Sequence, residues 1–154
     1  MLPKHILVPT DLSEGAEQAL DYACELARVL GAQIHLLNVI GIPTMGVPEL
    51  GLAVTTTVID QMVIDSQAAI ERLAATKCTA DVGQTLVRSG DARDVINQTA
   101  KELGIDLIVM GTHGRRGISR ALLGSVAETV VRSAPCAVLT VRLRELDDSD
   151  RHAA

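Results

Sequence analysis

Apolar residues recur along this chain in two alternating patterns. Short, nearly continuous apolar runs stand at 5–9 (His-Ile-Leu-Val-Pro), 33–40 (Gln-Ile-His-Leu-Leu-Asn-Val-Ile), 105–110 (Ile-Asp-Leu-Ile-Val-Met) and 135–141 (Pro-Cys-Ala-Val-Leu-Thr-Val), and 82–89 alternates roughly between apolar and polar. Segments of this length, bounded by turn residues, read as strands, the first of them buried and the second apolar enough to be covered on both faces. Between them the spacing becomes helical. Ala16, Leu20, Ala23, Ala27 and Leu30 form one stripe, with Asp11 or Ser13 placed to cap it and Gly31 to end it. Ile59, Met62, Val63, Ala69, Ile70, Leu73 and Ala74 mark a long helix over 55–76. A third helix is expected over 90–104 and a fourth over 126–133.

Strands alternating with helical crossovers predict an α/β fold: a doubly wound five-stranded parallel sheet, order 3-2-1-4-5, with helices on both faces. Ligands of such sheets bind beyond the carboxyl ends of the strands where the order reverses, here between strands one and four. That crevice would join the turn Pro9-Thr10-Asp11 to the turn Gly111-Thr-His-Gly114. The pattern breaks over 41–53, where Gly41, Pro43, Gly46, Pro48 and Gly51 predict a long loop, either a ligand cover or a surface excursion. Residues 1–143 read as one domain, and 144–154 as a charged, aperiodic tail expected to fray.

Composition narrows the function. The 154 residues are 47% hydrophobic, so the bulk of the chain is not disordered. With one Tyr and no Phe or Trp, the core must be aliphatic, and no aromatic platform exists for stacking bases. A net charge of −5 adds to the case against a nucleic-acid partner. Cys24, Cys78 and Cys136 are odd in number, widely spaced and free of a C-x-x-C pair, which predicts reduced cytoplasmic thiols and no metal site. The opening Met-Leu-Pro-Lys-His lacks a signal-type apolar stretch, and no run reaches the length of a membrane span, so a soluble cytoplasmic protein without a membrane partner is expected.

The segment Gly111–Ser125 carries the chemistry. A strand that ends in glycine, crosses a basic loop and re-enters a helix at Gly124-Ser125 has the build of an anion site, because helix-terminal N–H groups point at negative charge. Each glycine could serve a plain turn, but three of them ending in Gly-Ser at a helix start favour phosphate. Arg115, Arg116 and Arg120 are either a solvated loop face or include one contact to a terminal phosphate; Arg115, next to Gly114, is grouped with the site. Ser125 can cap, bind phosphate, or both. Asp11 is a cap or a ligand, the latter through a ribose hydroxyl or a bridging Mg²⁺. His113 has no carboxylate near it in sequence, His5 and His35 lie on strands, and Cys136 reads as a small core residue, so no catalytic residue is assigned. The lysine of a G-x-x-x-x-G-K-[ST] loop is missing, which favours binding a nucleotide over cutting it.

Gly111-x2-Gly114-x9-Gly124-Ser125 resembles the phosphate-binding spacing of the ATP-binding branch of the universal stress protein family. Its flanks are similar to that family as well: His5-Ile-Leu-Val-Pro-Thr-Asp-Leu-Ser13, Asp106-Leu-Ile-Val-Met-Gly-Thr-His-Gly114 and Ala134-Pro-Cys-Ala-Val-Leu-Thr-Val141. The resemblance covers roughly residues 1 to 143 and implies a homodimeric cytoplasmic protein that binds ATP in stress survival. Carried over by position, it implies Pro9, Thr10 and Asp11 at the nucleoside, Val39 at adenine, and Met110 and Gly111 by the ribose. Gly114, Gly124, Ser125 and Val126 would hold the phosphates, with any Mg²⁺ held mainly by the phosphates. Family dimers pair through the last strand, here Ala137 to Leu143, where Ala137 and Thr140 stand in place of the Pro and Val often found. The implied role is an ATP-binding sensor or switch. The alternative is a slow ATPase or nucleotide-transfer enzyme on the same site, and a third reading is a structural dimer without nucleotide.

Overall fold

In the computed structural model each apolar run becomes a strand, within a residue or two of its expected bounds. The structure describes residues 2–41, 51–112 and 123–142, with 51–57 described as backbone alone. In chain order the elements are β1 (His5–Thr10), α1 (Glu14–Leu30), β2 (Gln33–Ile40), α2 (Gly51–Lys77), β3 (Val82–Ser89), α3 (Ala92–Glu102), β4 (Leu107–Gly111), α4 (Ser125–Ser133) and β5 (Ala137–Val141). The strands form one five-stranded sheet ordered β3-β2-β1-β4-β5, and every ladder is parallel. This is the expected doubly wound sheet.

Alternation along the strands divides the core in two. Ile6, Val8, Ile34, Leu36, Leu107 and Val109 point to the face covered by α1 and α2, where they meet Leu20, Ala23, Ala27 and Ala74. Leu7, Leu37, Ile108 and Met110 point to the other face and meet Ile96 and Ala100 of α3 and Ala127 and Val130 of α4. Both layers are aliphatic, as a chain with one aromatic residue requires.

The helix ends follow local chemistry. Ser13, rather than Asp11, caps α1: its Oγ accepts from Ala16 N at 3.3 Å. Gly31 closes the helix at φ 61, a left-handed conformation that favours a residue without Cβ. Asp91 caps α3, and hydrogen bonds from the Arg93 side chain and backbone hold its carboxyl down at about 2. Gly104, also at φ 61, ends the turn after α3. Ile105 N donates to Ala100 O at 2.9 Å, so Ile105 belongs to that turn and β4 begins only at Leu107.

Two expectations are corrected. Of the loop foreseen over 41–53, residues 51–53 belong to α2, which begins at Gly51, and residues 42–50 lie outside the described residues. Cys24 and Cys78, expected as free thiols, form a disulfide with a Cα–Cα distance of 5.5 Å. Cysteines 54 residues apart give no local pairing signal, and only the packing of α1 against the end of α2 brings them together. Cys136 is free and half-buried on the other face of the sheet, where burial raises its thiol pKa. No helix among the described residues is long and apolar enough to cross a membrane, and no cluster of His, Cys, Asp and Glu among them could hold a metal ion. The tail after 142 lies outside the described residues.

Candidate functional site

The seam between β1 and β4 is where the strand order reverses, and its two ends differ. At the amino end it is closed. Asp106 N donates to His5 O at 3.0 Å, and the Asp106 carboxylate accepts from the backbone N–H groups of Lys4 and His5, both at 2.9 Å. Those bonds hold its carboxyl below the usual range. Ladder pairs follow at Ile6–Leu107 and Leu7–Ile108 and then stop. On the other side of β1 the ladder to β2 runs on to Thr10, opposite Asn38. The carboxyl end of the β1–β4 seam is therefore left unpaired, as a switch-point crevice requires.

Each wall of that crevice is fixed by named bonds. Buried Asn38 donates through Nδ2 to Thr10 O at 2.8 Å, tying the end of β1 to β2. Beyond Thr10 the chain turns sharply: Leu12 N donates to Thr10 Oγ1 at 3.1 Å, and Leu12 sits at φ 62. It is the only non-glycine residue with positive φ among the described residues, a conformation that costs roughly 1 kcal/mol or more for such a side chain. Asp11 Oδ1 accepts from Ser13 N at 3.1 Å and from Ser13 Oγ at 2.5 Å. Asp11 thus orients the residue that caps α1, which explains why either had the sequence signature of a cap.

The opposite wall is the start of α4. Gly124 N donates to Thr112 O at 2.7 Å, which pins the helix start to the end of β4. Thr112 is buried, and its own N–H donates to Val141 O at 3.0 Å, anchoring the same point to β5. Gly124 is the N-cap at φ −72, ψ 160 and has no side chain with which to cap the helix. Its carbonyl takes the first intrahelical bond, from Glu128 N at 2.9 Å. The N–H groups of Ser125, Val126 and Ala127 thus have no hydrogen-bond partner among the described residues. With the positive end of the helix dipole behind them, these donors suit a phosphate oxygen.

The expected site residues fall as follows. Pro9 and Thr10 end β1 and are buried, Asp11 lies in the turn, and Val39 is half-buried in the last part of β2. Met110 and Gly111 end β4, Gly124 caps α4, and Ser125 and Val126 form its first turn. Val39 and Met110 belong to the same apolar layer, on the α3–α4 side of the sheet. Gly114, Arg115, His113, Arg116 and Arg120 lie outside the described residues. Sequence reading passed over Asn38, Thr112 and Leu12. Asn38 did leave a signal, a polar residue inside an apolar strand, whereas nothing in sequence marks Leu12 as left-handed.

A second concavity, of about 520 Å³, lies at the opposite, amino-terminal ends of the strands, between Lys4, His5, Arg28, Gln33 and Asp81. Gln33 Nε2 donates to Asp81 Oδ2 at 2.9 Å there. It is wide open, on the closed side of the β1–β4 seam, and contains none of the expected site residues.

The universal stress protein family model matches residues 3–142, nearly the whole sheet-and-helix core. The chain belongs to the universal stress protein family. A Staphylococcus haemolyticus protein named for that family is 32% identical over 152 residues, covering 94% of this chain and 88% of its own length. Among solved structures, the universal stress protein UspA from Lactobacillus plantarum superposes with a TM-score of 0.79 at 29% identity, over 90% of this chain and 97% of that one. A universal stress protein crystallised in complex with cAMP superposes with a TM-score of 0.63 at 25% identity, over 92% of this chain and 98% of its own. The sheet order and layering described above are those of this family.

Proposed function

We propose that this protein binds an adenine nucleotide, ATP in the first instance, in the crevice at the carboxyl ends of β1 and β4, and acts as a sensor or switch in stress response. One observation carries the proposal: the first turn of α4 offers N–H groups without a partner among the described residues, at a position tied to the end of β4 by the Gly124–Thr112 bond. Support comes from the family relative crystallised with cAMP, an adenine nucleotide held by the same fold.

In this reading the phosphates lie against the N–H groups of Ser125 and Val126, close to Gly124, with Gly114 and Arg115 completing the set. Val39 and Met110 give adenine an apolar wall, while Pro9, Thr10 and Asp11 border the nucleoside and Gly111 the ribose. A micromolar complex needs about −8 kcal/mol, and a helix terminus supplies only about 0.3–2 kcal/mol of that. Burial of the base and charge-assisted bonds must supply the remainder. Any Mg²⁺ enters with the phosphates, which mainly hold it. The role is retention of nucleotide rather than turnover. Two copies pair through β5 and its continuation to Leu143, in the cytoplasm.

The test is calorimetry with ATP and Mg²⁺ on the wild type and Gly124→Leu. At φ −72 and ψ 160 any L-residue fits the backbone, so the fold survives while the side chain takes up phosphate space. Unchanged affinity in a folded Gly124→Leu protein would overturn the site. Rapid conversion of bound ATP in a single turnover would replace the switch with the enzyme reading.

A further inference from the structure

The disulfide between α1 and the end of α2 has no part in the crevice and points to a chemistry of its own. Cys24 lies in the middle of α1 and is 4% exposed, whereas Cys78 follows the last residue of α2 and is only half-buried. Their approach does not depend on the S–S bond alone. Lys77 Nζ pairs with Glu17 Oε2 at 3.1 Å and with Asp21 Oδ2 at 3.4 Å, both carboxylates on α1. Cys78 N donates to Ala74 O at 3.0 Å, extending the last turn of α2. Ala23, Cys24, Ala27 and Ala74 share one buried apolar cluster, against which Leu73 and Cys78 also pack. These contacts are independent of the S–S bond and favour a high effective concentration of each sulfur for the other. The Cα–Cα distance of 5.5 Å is that of an ordinary disulfide. The third thiol, Cys136, packs in the layer on the far side of the sheet and cannot reach either partner without unfolding.

We propose that Cys24 and Cys78 form a reversible thiol–disulfide exchange site whose substrate is a low-molecular-weight disulfide of the glutathione type. The half-exposed Cys78 reacts first. Its thiolate attacks one sulfur of the small disulfide, a mixed disulfide forms on Cys78 Sγ, and one small thiolate leaves. The Cys24 thiolate then attacks Cys78 Sγ, forms the internal bond and expels the second small thiolate. The two protons given up by Cys24 and Cys78 end on the two released thiols. The protein pair is oxidised and the small disulfide reduced, and excess small thiol drives the same steps backwards. Oxidation links α1, whose first turn adjoins the Asp11–Ser13 turn, to the far end of α2. The exchange stands whether or not the crevice binds nucleotide.

The experiment uses the full chain, reduced and then incubated natively with oxidised glutathione, quenched in acid, alkylated under denaturing conditions and weighed intact. The wild type is expected to lose the two thiol hydrogens, to carry no glutathione and to retain one alkylatable thiol, mapped by peptide digestion to Cys136. Reduced glutathione should restore all three. Cys24→Ser should trap one glutathione on Cys78, whereas Cys78→Ser should leave the buried Cys24 unmodified over the same time. Three alkylatable thiols after oxidation, a lasting glutathione adduct on the wild type, or a bond involving Cys136 would each overturn the proposal. Equal glutathione uptake by the two serine variants would overturn the order of attack. Peptide mapping of the wild type decides the pairing even where a variant fails to fold.

Discussion

The two ends of the β1–β4 seam are made from the same strands and do opposite things with their polar groups. At the amino end, Asp106 takes up the N–H groups of Lys4 and His5, and its own N–H goes to His5 O. At the carboxyl end the strands part after Leu7 and Ile108. There a left-handed Leu12 sharpens one turn, and α4 begins without a side-chain cap. Donors that are satisfied internally hold the sheet together; donors left open at a rigid helix start are available to a ligand. The contrast separates the residues that hold the fold from those offered to a partner.

Substitutions at the two ends should therefore separate affinity from stability. The largest effect is expected from Gly124→Leu, with ATP affinity falling by at least about 100-fold, about 2.7 kcal/mol, and the thermal midpoint little changed. Calorimetry and a thermal melt on the same sample check both halves. Next comes Asn38→Ala, which leaves the buried Thr10 carbonyl without its partner. It should lower unfolding free energy by about 1–3 kcal/mol and weaken nucleotide binding as the β1 turn loosens, read by urea titration and by calorimetry. An intact affinity in that variant would mean the Thr10 wall plays no part in the site.

Leu12→Gly should run the other way, raising stability by about 1 kcal/mol or less once the left-handed penalty is set against glycine's added chain freedom. Affinity should fall modestly as the turn becomes more mobile. At the closed end, Asp106→Asn should cost about 0.5–1 kcal/mol and leave nucleotide affinity unchanged; a matching loss of affinity would dissolve the distinction between the ends.

The smallest effect concerns acid. Burial, and then His5 beside it, lower the pKa of His35 from 6.5, while Asp81 opposes them. Its ring makes a 3.3 Å contact with the His5 ring, and its Nδ1 is buried without a partner among the described residues. The unfolded chain therefore binds the proton more readily. Stability should be level above about 6.5 and decline as pH falls from there towards the lower folded value. Replacing His35 with Gln should flatten that part of the curve in urea titrations at stepped pH.

The order of elements and the sheet topology were legible in the chain itself. Apolar runs and helical stripes are local signals, and right-handed crossovers leave few ways to join them. Gly31 and Ser13 were readable as helix ends for the same local reason. Packing in three dimensions decided the rest. Asn38 and Thr112 tie the ends of β1 and β4 to neighbouring strands through partners far away in sequence, Thr10 and Val141. Asp11 carries the pattern of a cap, yet its carboxylate serves Ser13. The Cys24–Cys78 bond spans 54 residues and depends on where α2 ends against α1, which no spacing rule records. What the sequence determined by itself was set by contacts within a turn or two of the chain. What waited for tertiary structure was the pairing of buried polar and sulfur atoms, whose partners depend on how the layers pack.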